Sequence, residues 1–149
     1  MKKKAIIISI KGEILTSKEK TLLSKEKPWG LILFKRNIRS FKQVKKLVSD
    51  IRKFSKDKKL PILIDEEGAK VSRLGNYLNH NVEANFFGNL FEQNKKVAVF
   101  LYKNYLKSLC RYLKMTGINV NTIPVLDILR ANTNKVIGNR SFSDNKEIK

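Results

Sequence analysis

Cysteine, histidine and tryptophan each occur once in these 149 residues, and proline only three times. A single cysteine excludes an internal disulfide framework and any multi-cysteine metal site. No apolar run approaches the roughly 20 residues needed to span a bilayer. The longest near the start, Ala5 to Ile10, follows three lysines. It is too short for a signal-peptide core, and no small-residue cleavage site follows it. The expected compartment is therefore the cytosol. Acids are scarce too: 13 Asp and Glu stand against 32 Lys and Arg, a formal net charge of +19.

Such an excess invites a nucleic-acid reading, because lysines neutralise phosphates and release counterions. The distribution points elsewhere. Lysines occur in nearly every segment, mostly on the polar side of apolar patterns, and arginines do not cluster. Lysine, asparagine and isoleucine share codons made largely of A and T, so mutational bias produces this composition without selecting a partner. A solvated lysine coat is expected, and nucleic acid is not the expected partner. The alternative, a basic nucleic-acid-binding module, requires a one-sided lysine surface and binding that weakens steeply with salt.

With 42% hydrophobic and 30% charged residues the chain reads as one globular domain with a real core. Strand, loop and helix alternate along it. Ala5 to Ile10 is a continuous β-branched run, as in a strand buried on both faces. Thr16 or Ser17 caps a short helix through about Ser24. Pro28-Trp29-Gly30 is a turn signal, and Leu31 to Phe34 the second strand. Ser40 with Gln43 has capping-box spacing, ahead of Phe41, Val44, Leu47, Val48, Ile51 and Phe54 at helical spacing. Pro61 opens the third strand, Ile62 to Ile64. A long polar stretch from Glu66 to about Asn94 is broken only by weak apolar character at Phe86 to Phe91. The longest helix spans about Lys95 to Thr116, with Ala98, Leu101, Tyr105, Leu109 and Leu113 on one stripe. Gly117 is placed to end it. Ile118 to Asn121 is the fourth strand, extended in broken form by Pro124 to Leu126. Asp144 and Glu147 open a further helix that is not completed, so the 1–149 domain reads as incomplete at its carboxyl end.

Parallel β/α units place chemistry after the strands' carboxyl ends. There stand Lys35-Arg36-Asn37, then Asp65-Glu66-Glu67 with Arg73 a short loop away, then Asp127 and Arg140. Converging carboxylates and arginines hold a polyhydroxylated ligand, since a carboxylate accepts from two hydroxyls and a guanidinium donates in a fork. An ion-pair network stabilising loops is the equally weighted alternative on spacing alone.

The segments GLILFKRNI (Gly30 to Ile38), LIDEEGAKVSRL (Leu63 to Leu74), GINVNTIPVLDI (Gly117 to Ile128) and IGNRSFSD (Ile137 to Asp144) occur in order. Together they resemble the amino-terminal part of family 3 glycoside hydrolases, nearest the bacterial β-N-acetylglucosaminidases of peptidoglycan recycling. The resemblance implies an α/β fold, the first half of a (β/α)8 barrel, with about four parallel strands and outer helices. It implies hydrolysis of terminal β-linked N-acetylglucosamine by a retaining route, with no cofactor or metal and a carbohydrate substrate. Asp65, Arg73 and Arg140 match substrate-binding positions, and Glu67 and Asp127 supporting ones. The nucleophile and the acid/base are expected beyond Lys149, so the 149-residue chain alone is expected to be inactive. A β-glucosidase-like member of other specificity is the alternative within the family.

The family's usual EGG followed by Arg-Val is here Glu67-Gly68-Ala69-Lys70-Val71. Ala69 forgoes the positive φ open to glycine, and Lys70 lacks a bidentate fork. Three single residues read as structural: His80 as an ordinary surface residue, Cys110 as a small core residue, and Trp29 as a plug at one end of the core. Glu66 and Glu67, being adjacent, are expected to point in different directions rather than form a catalytic pair.

Overall fold

The computed structural model describes residues 3–144 apart from Asn76 and Asn79. Four strands, β1 (Lys4–Ile8), β2 (Pro28–Leu33), β3 (Ile62–Ile64) and β4 (Val120–Asn121), alternate with helices. Helix α1 (Ser17–Glu26) follows β1, α2 (Phe41–Ser55) follows β2, and α3 (Ala84–Gln93) and α4 (Lys95–Thr116) separate β3 from β4. The sheet order is β1-β2-β3-β4 and every pairing is parallel. That sequential order is the one the resemblance implies for the opening strands of a β/α barrel. Among the described residues no helix is long and apolar enough to cross a membrane.

Local chemistry explains the helix limits. Thr16 and Glu19 make a reciprocal capping box at the start of α1. Ser40 accepts from the Gln43 N–H at α2, but the Gln43 carboxamide oxygen accepts from the Arg39 N–H instead of completing the box. Gln43 spends its amide donors on the Glu13 and Asn37 carbonyls, tying two loops to the helix. Gly117 ends α4 in the left-handed region at φ 88, and a Cβ there would sit 2.8 Å from Val48 Cγ1.

The core lies between the sheet and α1, α2 and α4. Leu23, Leu31, Leu47, Ile51, Ile62, Ile64 and Ile118 are fully buried in it, each worth about 1.5–3 kcal/mol of transfer free energy. From α2 the buried residues are Val44, Leu47, Val48, Ile51 and Ser55, so Phe41 and Phe54 of the expected stripe lie at its margins.

Several local expectations are corrected. β1 is not buried on both faces: among the described residues it is an edge strand paired with β2 alone, and Ile6 and Ile7 are 50% and 44% exposed. Pro28-Trp29-Gly30 is strand, not turn, because the reversal is already made by Lys27, the left-handed cap of α1. Trp29 therefore alternates outward and is exposed instead of plugging the core. The weak apolar segment at Phe86 is part of a full helix, α3, and Pro124 to Leu126 is irregular backbone rather than strand. On α4 the stripe of Ala98, Tyr105, Leu109 and Leu113 packs inward as expected, but at its start Leu101 is exposed while Tyr102 packs against Phe87. Cys110 falls on the solvent side of the same helix and is exposed, although Leu109 beside it is buried. The helix expected to open at Asp144 and Glu147 lies outside the described residues.

Candidate functional site

The backbone just after β3 is tied to β4 by the Asn121 side chain. The Glu66 N–H donates to Asn121 Oδ1 at 3.0 Å, and Asn121 Nδ2 donates to the Glu66 carbonyl at 2.9 Å. One asparagine thus continues the sheet ladder past the end of β3 and pins the Glu66 backbone, between Asp65 and Glu67. Asn37 does a similar service after β2: wholly buried, it donates to the carbonyls of Ile10 and Gly12 and accepts from the Phe34 N–H. Arg36 adds bonds to the Ile10 carbonyl and Ser9 Oγ.

Asp65 is about a quarter exposed. It accepts from Thr122 Oγ1 at 2.8 Å and from an Arg73 terminal nitrogen at 3.3 Å. Arg73 lies over the Phe34 ring, 5.9 Å from its centroid, with Arg36 at 4.7 Å from the same ring. The Arg73 Nε is buried and has no hydrogen-bond partner. A fixed guanidinium whose side chain is a quarter exposed, beside an equally exposed carboxylate, is equipped to meet hydroxyl groups.

Glu67 turns to Arg140, which donates to it through two nitrogens at 2.7 and 2.9 Å. That bidentate bond, followed by the fields of Asp127 and Asp65, pushes the Arg140 guanidinium above its ordinary range. Asp127 itself is exposed, and its carbonyl accepts from Ser141 Oγ, which anchors the Arg140 turn. The structure therefore unites Asp65 with Arg73, and Glu67 with Arg140, in two ion pairs coupled through the Arg140 charge. The cavity bordered by Glu67, Arg140 and Phe87 measures about 20 Å³, room for one water. It does not include Asp65 or Arg73.

Glu66 goes the other way, as adjacency predicts. Its fully buried carboxylate accepts from Ser72 Oγ at 2.6 Å, the Arg73 and Leu74 N–H groups at 2.7 and 2.9 Å, and His80 Nε2 at 2.5 Å. Burial alone would raise its pKa, but the bonds from His80, Ser72 and the two amides outweigh it and hold the carboxyl below the usual range. Tyr105 donates its hydroxyl to His80 Nδ1 at 3.1 Å. Burial, then the Glu66 and Tyr102 charges, push that phenol up to about 12. The expectation that His80 is an ordinary surface residue is wrong. Its side chain is 9% exposed, because a 14-residue loop returns it to a carboxylate that nothing local in the sequence would pair with it. Glu66 and Tyr105 were visible only as a strand-end acid and a helix-stripe aromatic.

The departures in the motif are quiet. The non-glycine residues with positive φ are Lys27 and Lys56 among those described, so Ala69 adopts ordinary backbone. Lys70 reaches the Lys135 carbonyl at 3.3 Å.

Residues 3–149 match the model of the glycosyl hydrolase family 3 N terminal domain. The chain belongs to glycosyl hydrolase family 3. It is 28% identical over 143 residues to a Beta-hexosaminidase of Xanthomonas campestris pv. campestris, covering 96% of this chain and 42% of that protein. NagZ from Neisseria gonorrhoeae, solved in complex with N-trifluoroacetyl-D-glucosamine, matches with a TM-score of 0.89 and 29% identity over 98% of this chain and 42% of that one. A family 3 β-N-acetylglucosaminidase from Paenibacillus matches with a TM-score of 0.73 and 27% identity, over 95% and 26% of the two chains. The family 3 chain thus spans less than half the length of these relatives. Its membership agrees with the four ordered motifs and with the parallel β/α architecture. The α/β fold read from the sequence stands.

Proposed function

We propose that this chain is the sugar-holding part of a retaining glycosidase that removes terminal β-linked N-acetylglucosamine, acting on cell-wall fragments in the cytoplasm. The observation that carries the proposal is the Asp65–Arg73 ion pair at the carboxyl end of β3, with both side chains about a quarter exposed. It stands in a family 3 chain similar to a protein solved with an N-acylglucosamine ligand. In this reading Asp65 accepts from sugar hydroxyls, Arg73 and Arg140 donate, and Glu67 and Asp127 hold Arg140 in place.

Bond breaking by a retaining route requires one carboxylate as nucleophile and a second group as acid and then base. The three acids at the carboxyl end of β3 are engaged otherwise. Glu66 is buried, carries four hydrogen bonds and has a lowered pKa, the wrong direction for a general acid. Glu67 is occupied by the Arg140 fork, and Asp65 by Thr122 and Arg73. In this reading the nucleophile and acid/base are those that the family resemblance implies in chain beyond Lys149.

The test is hydrolysis of a chromogenic β-N-acetylglucosaminide. The 149-residue chain alone is expected to give no turnover above a blank. An in-frame longer chain containing a Lys-His-Phe-Pro-Gly-His-Gly-like segment is expected to be active and to lose at least about a hundredfold on Asp65→Ala. A longer chain that prefers a β-glucoside would overturn the sugar assignment.

A further inference from the structure

At the opposite end of the sheet from Asp65, the carboxyl ends of α2 and α4 converge around an open groove of about 630 Å³. Helices antiparallel to their strands must end there, so the groove is remote from the strand ends that carry the sugar-site residues. We propose that this groove is a binding site for a compact polyphosphate anion. Its rim supplies Lys45, Arg52, Lys53, Lys56, Lys58 and Lys114, and among the described residues no acid lines it.

Unpaired lysines are common on this surface, and what marks the groove is six cations gathered on one rim; three observations bear on what it would bind. First, among the described residues none of the six cations has an ion-pair partner within 4 Å, whereas the nearby acids are already engaged: Asp50 by Lys46 and Asp57 by Lys3. Second, helix dipoles explain too little of the charge. Each helix carboxyl end carries the equivalent of roughly half a negative charge, so two ends call for about one cation, not six. Third, Arg52 is only partly exposed and its Nε is buried without a hydrogen-bond partner. Burial lowers its pKa, opposed only by the field of Asp57. A guanidinium kept charged in that position gains from an anion.

The chemistry selects phosphate over a lone carboxylate. Five ammonium groups act as movable point charges, suited to several phosphate oxygens, with one planar fork among them. The volume lies within the range of roughly 300–1,000 Å³ usual for small-molecule sites. A concave groove between two helix ends suits a compact ligand better than a duplex, which needs an extended basic track.

The probe is sodium tripolyphosphate, titrated calorimetrically into the 149-residue chain at low and moderate salt. One ligand per chain is expected, with affinity falling as salt rises. Lys53→Gln/Lys56→Gln/Lys114→Gln is expected to weaken binding at least about tenfold. A control that removes the same charge elsewhere, Lys18→Gln/Lys42→Gln/Lys103→Gln, is expected to change it less than about twofold. On the unmutated chain, tripolyphosphate is expected to shield Lys53, Lys56, Lys58 and Lys114 from an amine-acylating reagent while Lys18 and Lys103 remain reactive, read by mass spectrometry. Equal weakening in both triple variants, absence of binding at low salt, or uniform shielding of all lysines would overturn the proposal. So would mixed-sequence RNA that binds more tightly than tripolyphosphate at equal phosphate and is insensitive to the groove substitutions.

Discussion

His80 Nε2 stands 2.5 Å from Glu66 Oε1, and this contact closes the loop that carries Arg73. Four donors converge on one buried carboxylate: the Ser72 hydroxyl, the Arg73 and Leu74 amides, and the His80 ring. The tautomer with its proton on Nε2 donates to Glu66 and accepts from Tyr105 at Nδ1, so all three groups are satisfied. Asp65, one residue before Glu66, and Arg73, between Ser72 and Leu74, are consequently placed by a device that touches no ligand itself.

Removing either end of that contact should be costly. His80→Ala leaves the buried Glu66 carboxylate one donor short and the Tyr105 hydroxyl without its acceptor, at about 1–3 kcal/mol. Urea denaturation should show the loss as a lower midpoint with an unchanged slope. A variant as stable as the original chain would remove the clamp from the account.

The same groups set a pH dependence at both extremes. The Glu66 carboxyl has a folded pKa below its ordinary value of 4.5. It therefore contributes stability that is present above that value and lost as pH falls through the lower, folded one. Tyr105 has the opposite sign: raised from 10 to about 12, its contribution is complete below pH 10 and disappears as pH rises to about 12. Thermal melts across pH should fall at both ends, and Tyr105→Phe should flatten the alkaline fall while lowering stability near neutrality.

Gly88 tests how α3 supports the site. A Cβ built there would lie 1.8 Å from the Phe142 carbonyl oxygen, and backbone cannot yield as a side-chain tip would. Gly88→Ala should destabilise by about 1–3 kcal/mol or more and push the 141–142 segment, with Arg140 just before it, away from Glu67. Hydrogen exchange that rises at 138–143 and not at β2 would bear this out, whereas an unchanged pattern would contradict it.

Arg140→Lys keeps the charge but loses the two-nitrogen fork to Glu67. Both side chains are partly exposed, so the stability change should stay below about 1 kcal/mol. Sugar binding should fall more than stability does. Equal losses in both would mean that the pair is only a loop fastener.

The repeating strand-helix order, the cap at Thr16, the stop at Gly117 and the strand-end positions of Asp65, Arg73, Glu67 and Arg140 were legible, because periodicity, caps and ordered motifs are local signals. What escaped was set by non-local partners. Trp29 faces out because Lys27 makes the turn one residue before β2 begins. β1 is exposed because little among the described residues packs on either of its faces, which Ile6 and Ile7 share between them. His80 reads as a loop residue until the return of that loop brings it to Glu66. Leu101 and Cys110 show the limit of a stripe counted from sequence: one residue of helical rotation, about 100°, decides which side chain meets the sheet.

The most direct measurement is a nuclear magnetic resonance titration of the isotope-labelled 149-residue chain with N-acetylglucosamine. The predicted result is weak, saturable binding whose shifts centre on Asp65, Arg73 and Arg140 and vanish in Asp65→Ala with the fold intact. Shifts that cluster elsewhere, or that persist unchanged in Asp65→Ala, would contradict the assignment of these residues to the sugar.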